Sequence, residues 1–154
     1  MIRVCPSRAD RSGARTVSSS FGGSDLIASV RRRRHPHYAV PGALLAAAVL
    51  GLVNHQRIAH HERQLRPDAR LVAVAHDCSE PQIVPCLRRH GYRAVAVGEN
   101  SLWGAESPRE AVTLWMESPP HRTNILDPEW RTTGVAVDGW RYVQVFAVPA
   151  AQGH

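Results

Sequence analysis

Lysine is absent from this chain of 154 residues, so all 19 of its strongly basic side chains are arginines. A GC-rich bacterial genome explains this bias better than any physical demand does. Also absent are a P-loop, a dinucleotide-binding fingerprint and a Gly-x-Ser-x-Gly elbow. The sequence therefore gives no support to nucleotide binding through these motifs or to a serine nucleophile on such an elbow.

Most of the chain carries no excess of positive charge. The formal net charge is +6, but residues 1 to 37 carry eight arginines and two acids, whereas the remainder carries eleven of each. A nucleic-acid-binding domain needs a basic face as well as a basic tail. We therefore expect no nucleic-acid partner, and phosphate binding by Arg31 to Arg34 ranks last of three functional hypotheses.

The first 38 residues are predicted to form a disordered basic tail. Residues 1 to 30 are rich in Ser, Gly and Arg and lack a sustained apolar period, so they bury too little surface to offset the entropy of ordering. The apolar run from Ala39 to Val53 is interrupted by Pro41 and Gly42 and is too short to span a bilayer comfortably. We expect no transmembrane span.

The same region has the form of a secretory signal. Arg31 to Arg34 would be its basic part, residues 39 to 48 its apolar part with a cleavage site at Ala46 to Ala48, and Val49 the mature start. Under this interpretation the protein is secreted or lies in the cell envelope. The alternative is a cytoplasmic protein in which Ala43 to Val53 forms the first turns of a buried helix.

Cysteine is scarce as well. Cys5 lies in the tail, and Cys78 and Cys86 lie in the remainder of the chain. A disulfide between Cys78 and Cys86 would close a short loop and would fit an oxidising compartment, whereas two neighbouring reduced thiols would fit the cytosol. The sequence leaves both states open.

Residues 49 to 148 are predicted to form one domain, followed by a tail from 149 to 154. A hydrophobic content of 44% is ordinary for a soluble fold. Apolar residues at three- and four-residue steps predict helices in the first half of this region. These helices are Leu44 to Gln64, Leu71 to Cys78 and Pro81 to His90.

Strand patterns follow the helices. Alternating β-branched residues predict a strand from Tyr92 to Val97, and Asp138-Gly139 predicts a type I′ turn between two later strands. Ser107 and Glu110 form a capping box for one more helix, which Pro119-Pro120 ends. The two later strands are Thr132 to Val137 and Trp140 to Val148. The predicted fold class is α+β.

Four motifs follow one another along the chain: Gly98-Glu99-Asn100, the run from Trp115 to Leu126, Gly134 to Val137, and Tyr142 to Phe146. In this order and with these gaps they resemble the CAP superfamily of cysteine-rich secretory, antigen 5 and pathogenesis-related proteins, in its bacterial form. The resemblance extends over roughly residues 48 to 148. It implies a CAP-type α-β-α sandwich with N-terminal helices and a C-terminal antiparallel hairpin.

The resemblance also implies a cleft, which in the family is lined by two histidines and two acidic residues and holds a divalent cation in some members. Glu99 and His121 match this cleft, so they are the catalytic candidates and the weak metal-ligand candidates. Other residues of the motifs are binding candidates, namely Asn100, Glu117, Ser118, Asn124 and Tyr142. Among these, Glu117 is offset by one residue from the expected acidic position.

Two parts of the family cleft are missing from this sequence. The histidine-bearing segment before the third helix is deleted, because Asp77 to Glu80 runs almost directly into that helix. Tyr142 stands where eukaryotic members have a histidine. Zinc sites take three or four protein ligands, so Glu99 and His121 alone are too few for tight binding. We expect no cofactor, and at most a weakly held divalent cation.

Two hypotheses therefore rank above nucleic-acid binding. In the first, the chain is an exported, monomeric CAP-like domain with a degenerate cleft, which binds an extracellular or cell-envelope ligand, a lipid or a protein, without catalysis. In the second, it is a metal-assisted hydrolase with Glu99 as general base and His121 as ligand or transition-state donor. A structural role is also open: Glu99 would bond the backbone of the following loop, and His121 would cap the turn from Arg122 to Leu126 and bond Glu99.

Overall fold

The computed structural model of the protein describes residues 41 to 78 and 82 to 151, so the predictions made for residues 1 to 40 lie outside the described residues. In the described ranges, helices and strands are both present, and the predicted α+β class is confirmed. In chain order the elements are α1 (Gly42–Ala59), β1 (Arg66–Pro67), α2 (Ala69–Asp77), α3 (Ile83–Arg89), β2 (Ala94–Trp103), α4 (Pro108–Glu117), α5 (Pro119–Leu126), β3 (Thr132–Asp138) and β4 (Arg141–Pro149).

The strands form a four-stranded sheet in the order β1-β3-β4-β2. β4 runs antiparallel to its neighbours β3 and β2, whereas the short β1 runs parallel to β3. Because side chains alternate along a strand, the sheet presents two faces, and both are covered. Helices α1, α4 and α5 supply the core on one face, here called the α1 layer, and α2 and α3 supply the core on the other, the α2 layer. This arrangement is the predicted α-β-α sandwich.

Strand β2 is longer than the sequence indicated. The prediction ended it at Val97, but it continues through Gly98-Glu99-Asn100 to Trp103. Gly, Glu and Asn are poor strand formers. Pairing with β4 outweighs that local preference, since every residue from Ala96 to Trp103 has a partner in the ladder.

The C-terminal hairpin forms, but its turn differs from the prediction. β3 and β4 remain paired up to Asp138 and Arg141, so Gly139 and Trp140 make the connection. Gly139 has a φ of 55°, whereas the φ of Trp140 is not positive. A positive φ at the first central residue alone fits a type II′ turn and not the predicted type I′.

Helix α1 begins and ends earlier than predicted. It stops at Ala59 because His61 adopts a left-handed conformation with φ 63°, and the Glu62 N–H turns back to the Arg57 carbonyl at 2.8 Å. Asn54 then fixes the segment that follows, since its side-chain amide donates to the Leu65 carbonyl at 3.1 Å and accepts from the Leu65 N–H at 2.8 Å. The predicted last turn is therefore an ordered loop.

The run of two prolines after α4 has two roles. It ends α4, as predicted, and Pro119 and Pro120 then become the first residues of α5. Proline suits this position because its fixed φ matches the helix and the first N–H groups have no partner inside the helix. The predicted turn from Arg122 to Leu126 is consequently part of an eight-residue helix.

The candidate signal cleavage site lies inside α1, which is continuous through Ala46 to Ala48. Val49 and Val53, in the second half of the helix, are fully buried in the α1 layer. Among the described helices, α1 is the one that is long and apolar enough to cross a membrane, although signal sequences and core helices meet the same criterion. Only 17% of it is buried.

Cys78 and Cys86 are joined by a disulfide, with their Cα atoms 6.4 Å apart. Cys78 follows α2 directly and Cys86 lies in α3, so the bond ties together the two helices of the α2 layer. Both cysteines are buried.

Candidate functional site

Strand β2 places the two polar residues of its motif on opposite faces of the sheet. Glu99 pairs with Val145, which belongs to the core of the α2 layer, and is 3% exposed. Asn100 pairs with Gln144 and faces the α1 layer, where it is fully buried. Neighbouring residues in the sequence thus reach different environments, because side chains alternate along a strand.

Helix α5 lies against β2 and is held there by side-chain amides. The Asn124 amide nitrogen donates to the Glu99 carbonyl at 3.1 Å and to the Asn100 side-chain oxygen at 2.9 Å. The Asn100 amide nitrogen in turn donates to the His121 carbonyl at 3.0 Å. Asn100 and Asn124 therefore join the two motifs that carry the catalytic candidates, and they do so by binding protein groups.

Trp130 extends this network and was not anticipated from the sequence. Its indole N–H donates to the Asn124 carbonyl at 2.9 Å, and its ring stacks on Phe146 with the centroids 6.0 Å apart. The side chain is buried. A buried tryptophan needs an acceptor for its N–H, and the last turn of α5 provides one.

His121 is half-buried at the start of α5. Its Nδ1 lies 2.9 Å from the Ser118 hydroxyl, and Ser118 is the residue that precedes the helix. Burial lowers the pKa of the His121 imidazole below its ordinary value, so the ring is neutral at pH 7. The Ser118 and His121 side chains therefore pair with one another within a single helical turn.

Tyr142 does not share a face with Glu99. It pairs with Leu102, belongs to the α1 layer and is buried, which raises the pKa of its phenol, as Glu110 also does. The charged β4 residue on the Glu99 face is Arg141, which was not predicted as a site residue from the sequence. Its guanidinium donates to the carbonyl of His76 and to that of Cys78, each at 3.4 Å.

Glu117 is exposed at the end of α4 and lines a shallow groove of about 280 Å³ with Gln56, Arg109 and Arg122. This groove lies on the outer surface of the α1 layer, between α1 and α4. Since Glu99 faces the α2 layer, the structure does not place Glu117 with it.

Metal-ligating side chains lie close together at one place among the described residues. One group of three has ligand atoms within 4.8 Å of one another, namely Cys78, Cys86 and His90. Its sulfurs form the disulfide, and the Arg89 guanidinium lies 3.2 Å from the Cys78 sulfur. In the described ranges Glu99 and His121 belong to no such group, so the residues present do not fit a zinc site with three protein ligands.

The model of the cysteine-rich secretory protein family, CAP, matches residues 50–146. The chain belongs to this family. Its motifs occupy the places in the sheet and in α5 described above, so the resemblance inferred from the sequence is confirmed.

Solved structures share the fold of this CAP domain. A cysteine-rich secretory protein from Staphylococcus aureus matches with a TM-score of 0.67 at 15% identity over 71% of this chain. An extracellular protein with an SCP domain from Bacillus anthracis matches with a TM-score of 0.64 at 23% identity over 69%. An outer surface protein from Borrelia burgdorferi matches with a TM-score of 0.57 at 16% identity over 72% of this chain and 97% of its own.

The CAP domain spans 40% of the Staphylococcus chain and 41% of the Bacillus chain. Its sequence matches none of the curated proteins with which it was compared. At these identities the likeness shows the fold, and any activity has to be argued from the residues of this chain.

Proposed function

We propose that this CAP domain is an exported, envelope-associated binding module that carries out no catalysis at its family cleft. The observation that carries the proposal is that polar groups of the cleft form hydrogen bonds with other groups of the protein. The His121 ring pairs with Ser118, and the amides of Asn100 and Asn124 hold α5 against β2. Side chains engaged in this way support a fold more readily than they support a reaction.

A metal-assisted hydrolase is less well supported. It would require Glu99 and His121 to act on one substrate, but Glu99 faces the α2 layer. His121 lies on α5, a helix that packs in the α1 layer through Ile125. It would also require a metal, and the described residues offer too few ligands there.

Zinc titration tests the cleft. Calorimetry on the metal-free protein is expected to show weak or no binding, because two candidate ligands hold zinc loosely. Glu99→Gln is expected to lower the free energy of unfolding by about 1 to 3 kcal/mol, since the buried carboxylate interacts with the protein and its replacement leaves a buried partner with a weaker acceptor, whereas Glu117→Gln, at an exposed position, is the matched control and should change little. Tight stoichiometric binding that disappears in both Glu99→Gln and His121→Ala would establish a metal site and favour the hydrolase.

Export is the second part of the proposal. Its support is the basic run followed by an apolar run, and the disulfide, which suits an oxidising compartment. The secretory, extracellular and outer-surface names of the structural neighbours point the same way. We expect the domain outside the cytoplasm with Cys78 and Cys86 oxidised.

Peptide mapping by mass spectrometry of the cytoplasmic, envelope and extracellular fractions tests export, since it reports location, disulfide state and N-terminus together. The N-terminus distinguishes a start at Val49 from a protein that keeps the whole of α1. Protein found solely in the cytoplasm with two free thiols at Cys78 and Cys86 would rule out export.

A further inference from the structure

Strand β3 lies inside the sheet only at its start, and the rest of it is a free edge. Its neighbour β1 consists of Arg66–Pro67 alone and pairs with the first two residues of β3. β1 is short because Asp68 caps α2, accepting the Arg70 N–H at 2.9 Å, and the chain turns into that helix. In the part of the chain that the structure describes, no strand pairs with residues 134 to 138 on this side.

Backbone groups along this free edge lack hydrogen-bond partners. The Thr133 carbonyl points to the β1 side, where it accepts the Asp68 N–H at 2.9 Å. Peptide groups of alternate residues point the same way along a strand, so those of Val135 and Val137 also point to this side. The Val137 carbonyl oxygen is covered by α1, since a Cβ atom on Gly42 would overlap it. Three groups are left unpaired among the described residues, namely the N–H and the carbonyl of Val135 and the N–H of Val137.

The free edge is the floor of a mostly apolar groove of about 660 Å³, a volume typical of ligand sites. One wall is a face of α1 whose side chains are mostly alanines. The other wall is α2, where Val72 is 39% exposed although it is apolar. The residues of the two walls are Ala43, Ala46, Ala47 and Leu50 on α1, and Val72 and His76 on α2. The groove therefore holds unpaired backbone groups between two largely apolar walls.

The shape and polarity of the groove favour a single extended polypeptide as its occupant. Val135, Ala136 and Val137 are buried, so the edge lies below the rims formed by α1 and α2. Two copies cannot pair through these recessed edges, because their helices would meet first. An acyl chain would fit the apolar walls but would leave the backbone groups unpaired, which is costly in a buried site. An extended peptide pairs with those groups and places alternate side chains against α1 and α2.

We propose that the free edge of β3 binds an extended segment of a partner protein as an additional strand, in the groove between α1 and α2. Residues 134 to 137 offer about 13 Å of edge, enough for a segment of about four residues. Because both walls are largely apolar, the segment is apolar on both faces, rich in β-branched residues and free of proline. Glu99 lies on β2, at the opposite edge of the sheet, so this site is separate from the family cleft and does not depend on export.

Hydrogen exchange of the full chain, followed for each amide by NMR, tests whether the edge is free. The N–H groups of Gly134 and Ala136 point to β4 and are expected to exchange slowly. Those of Val135 and Val137 are expected to exchange at least about tenfold faster, because no backbone acceptor holds them. Equal protection of all four amides in the protein alone would show that another segment of the chain already pairs with the edge, and would overturn the inference.

Binding is tested with a phage-displayed library of short linear peptides of random sequence, selected on the full chain, and with synthetic copies of the recovered peptides. We expect these peptides to share a run of β-branched apolar residues and to slow exchange at Val135 and Val137. N-methylation of alternate peptide amides then distinguishes strand pairing from apolar contact. Of the two alternating sets, one should weaken binding by about tenfold or more and the other by much less, because only one set points at β3.

Two neighbouring alanines of α1 give a matched pair of variants. Ala47 and Ala48 are both exposed, but Ala47 lines the groove and Ala48 does not. Ala47→Trp should fill the groove and weaken peptide binding by about tenfold or more, whereas Ala48→Trp should leave the affinity within about twofold of the parent. Slow exchange of the Ala136 amide in both variants shows that the sheet is intact, and the methylated peptides test the same point without altering the protein.

Failure to recover any peptide that binds, or an equal loss of affinity in Ala47→Trp and Ala48→Trp, would overturn the inference. So would equal effects of the two methylated sets, since the groove would then bind apolar side chains without strand pairing. Oleate binding that Ala47→Trp abolishes and no peptide displaces would assign the groove to an acyl chain, and dimerisation lost in the same variant would assign it to a second copy. A cytoplasmic protein that binds the peptides would reject export and support this site, whereas an exported protein that binds none would reject the site alone.

Discussion

Gly134→Ala is expected to destabilise the domain by about 3 kcal/mol, a severe effect for the addition of one methyl group. Gly134 lies in β3, between β1 and β4, on the face that meets α2. A Cβ atom there would overlap the backbone of Leu71 and Val72. A flexible side chain could move aside, but a helix backbone pressed against an interior strand cannot move without shifting the whole layer.

Gly51→Ala is the matched control for Gly134→Ala. Gly51 lies in the middle of α1, is exposed, and has open space where a Cβ atom would be placed. Alanine there should stabilise the domain by about 0.5 to 1 kcal/mol, because glycine weakens a helix interior. Urea unfolding curves for both variants measure the difference. If Gly134→Ala unfolds at the same urea concentration as the parent, α2 does not press on β3 as closely as the structure shows.

Gly134 also shows which features of the fold can be predicted from the sequence and which cannot. The Gly134 to Val137 motif is one of those that indicate the family from the sequence, and the family in turn implies the sandwich. Nothing in the sequence says why a glycine is needed there, because the α2 backbone that fills the space comes from a segment more than sixty positions earlier. A close approach between segments that are distant in the chain leaves no pattern in the sequence around either of them.

Sequence patterns predicted the structure correctly where interactions between residues near in the chain determine it. The Ser107 hydroxyl accepts the Glu110 N–H at 3.2 Å and starts α4, as a capping residue should. They failed where pairing decides, as in the extension of β2 and in the choice of Gly139 and Trp140 for the turn. A strand inside a ladder tolerates residues that would not form one alone.

The candidate site shows the same limit. Glu99, Asn100, His121 and Asn124 were selected from motifs, and the structure joins their segments through hydrogen bonds to the backbone. Which face each side chain occupies depends on strand register, and register separates Glu99 from Tyr142. The alternation of Val143 and Val145 could have indicated that Arg141 shares the Glu99 face, but β2 had not been predicted to reach that far.

Arg57 is a charged group at the centre of three chain segments. It is fully buried near the end of α1. Its Nε donates to the Arg63 carbonyl at 2.6 Å, and its Nη1 donates to the carbonyls of Ile125 and Asp127 at 2.6 and 2.9 Å. Desolvation lowers the pKa of the guanidinium, an effect that the nearby Glu62 and Asp127 oppose, and arginine stays protonated in proteins.

Two opposing effects decide what the loss of Arg57 does. Removing a buried charge relieves a desolvation penalty of several kcal/mol, and an apolar replacement is sometimes neutral for that reason. Here, however, the carbonyls of Ile125 and Asp127 end α5 in the protein interior, and each unsatisfied carbonyl costs about 1 to 3 kcal/mol. Because one guanidinium donates to three carbonyls, we expect the cost of losing these hydrogen bonds to exceed the desolvation penalty that is relieved. Replacement of Arg57 should therefore destabilise the domain.

Arg57→Ala is therefore expected to lower the free energy of unfolding by about 3 to 5 kcal/mol, from lost hydrogen bonds and a cavity together. Arg57→Met keeps most of the side-chain volume and should lose about 1 to 3 kcal/mol, which isolates the carbonyls. Arg63→Met is the control, because the Arg63 side chain is exposed and only its carbonyl takes part. Urea midpoints rank the three variants. An Arg57→Met protein as stable as the parent would show that desolvation of the guanidinium cancels its hydrogen bonds, and that packing alone holds α1 to α5.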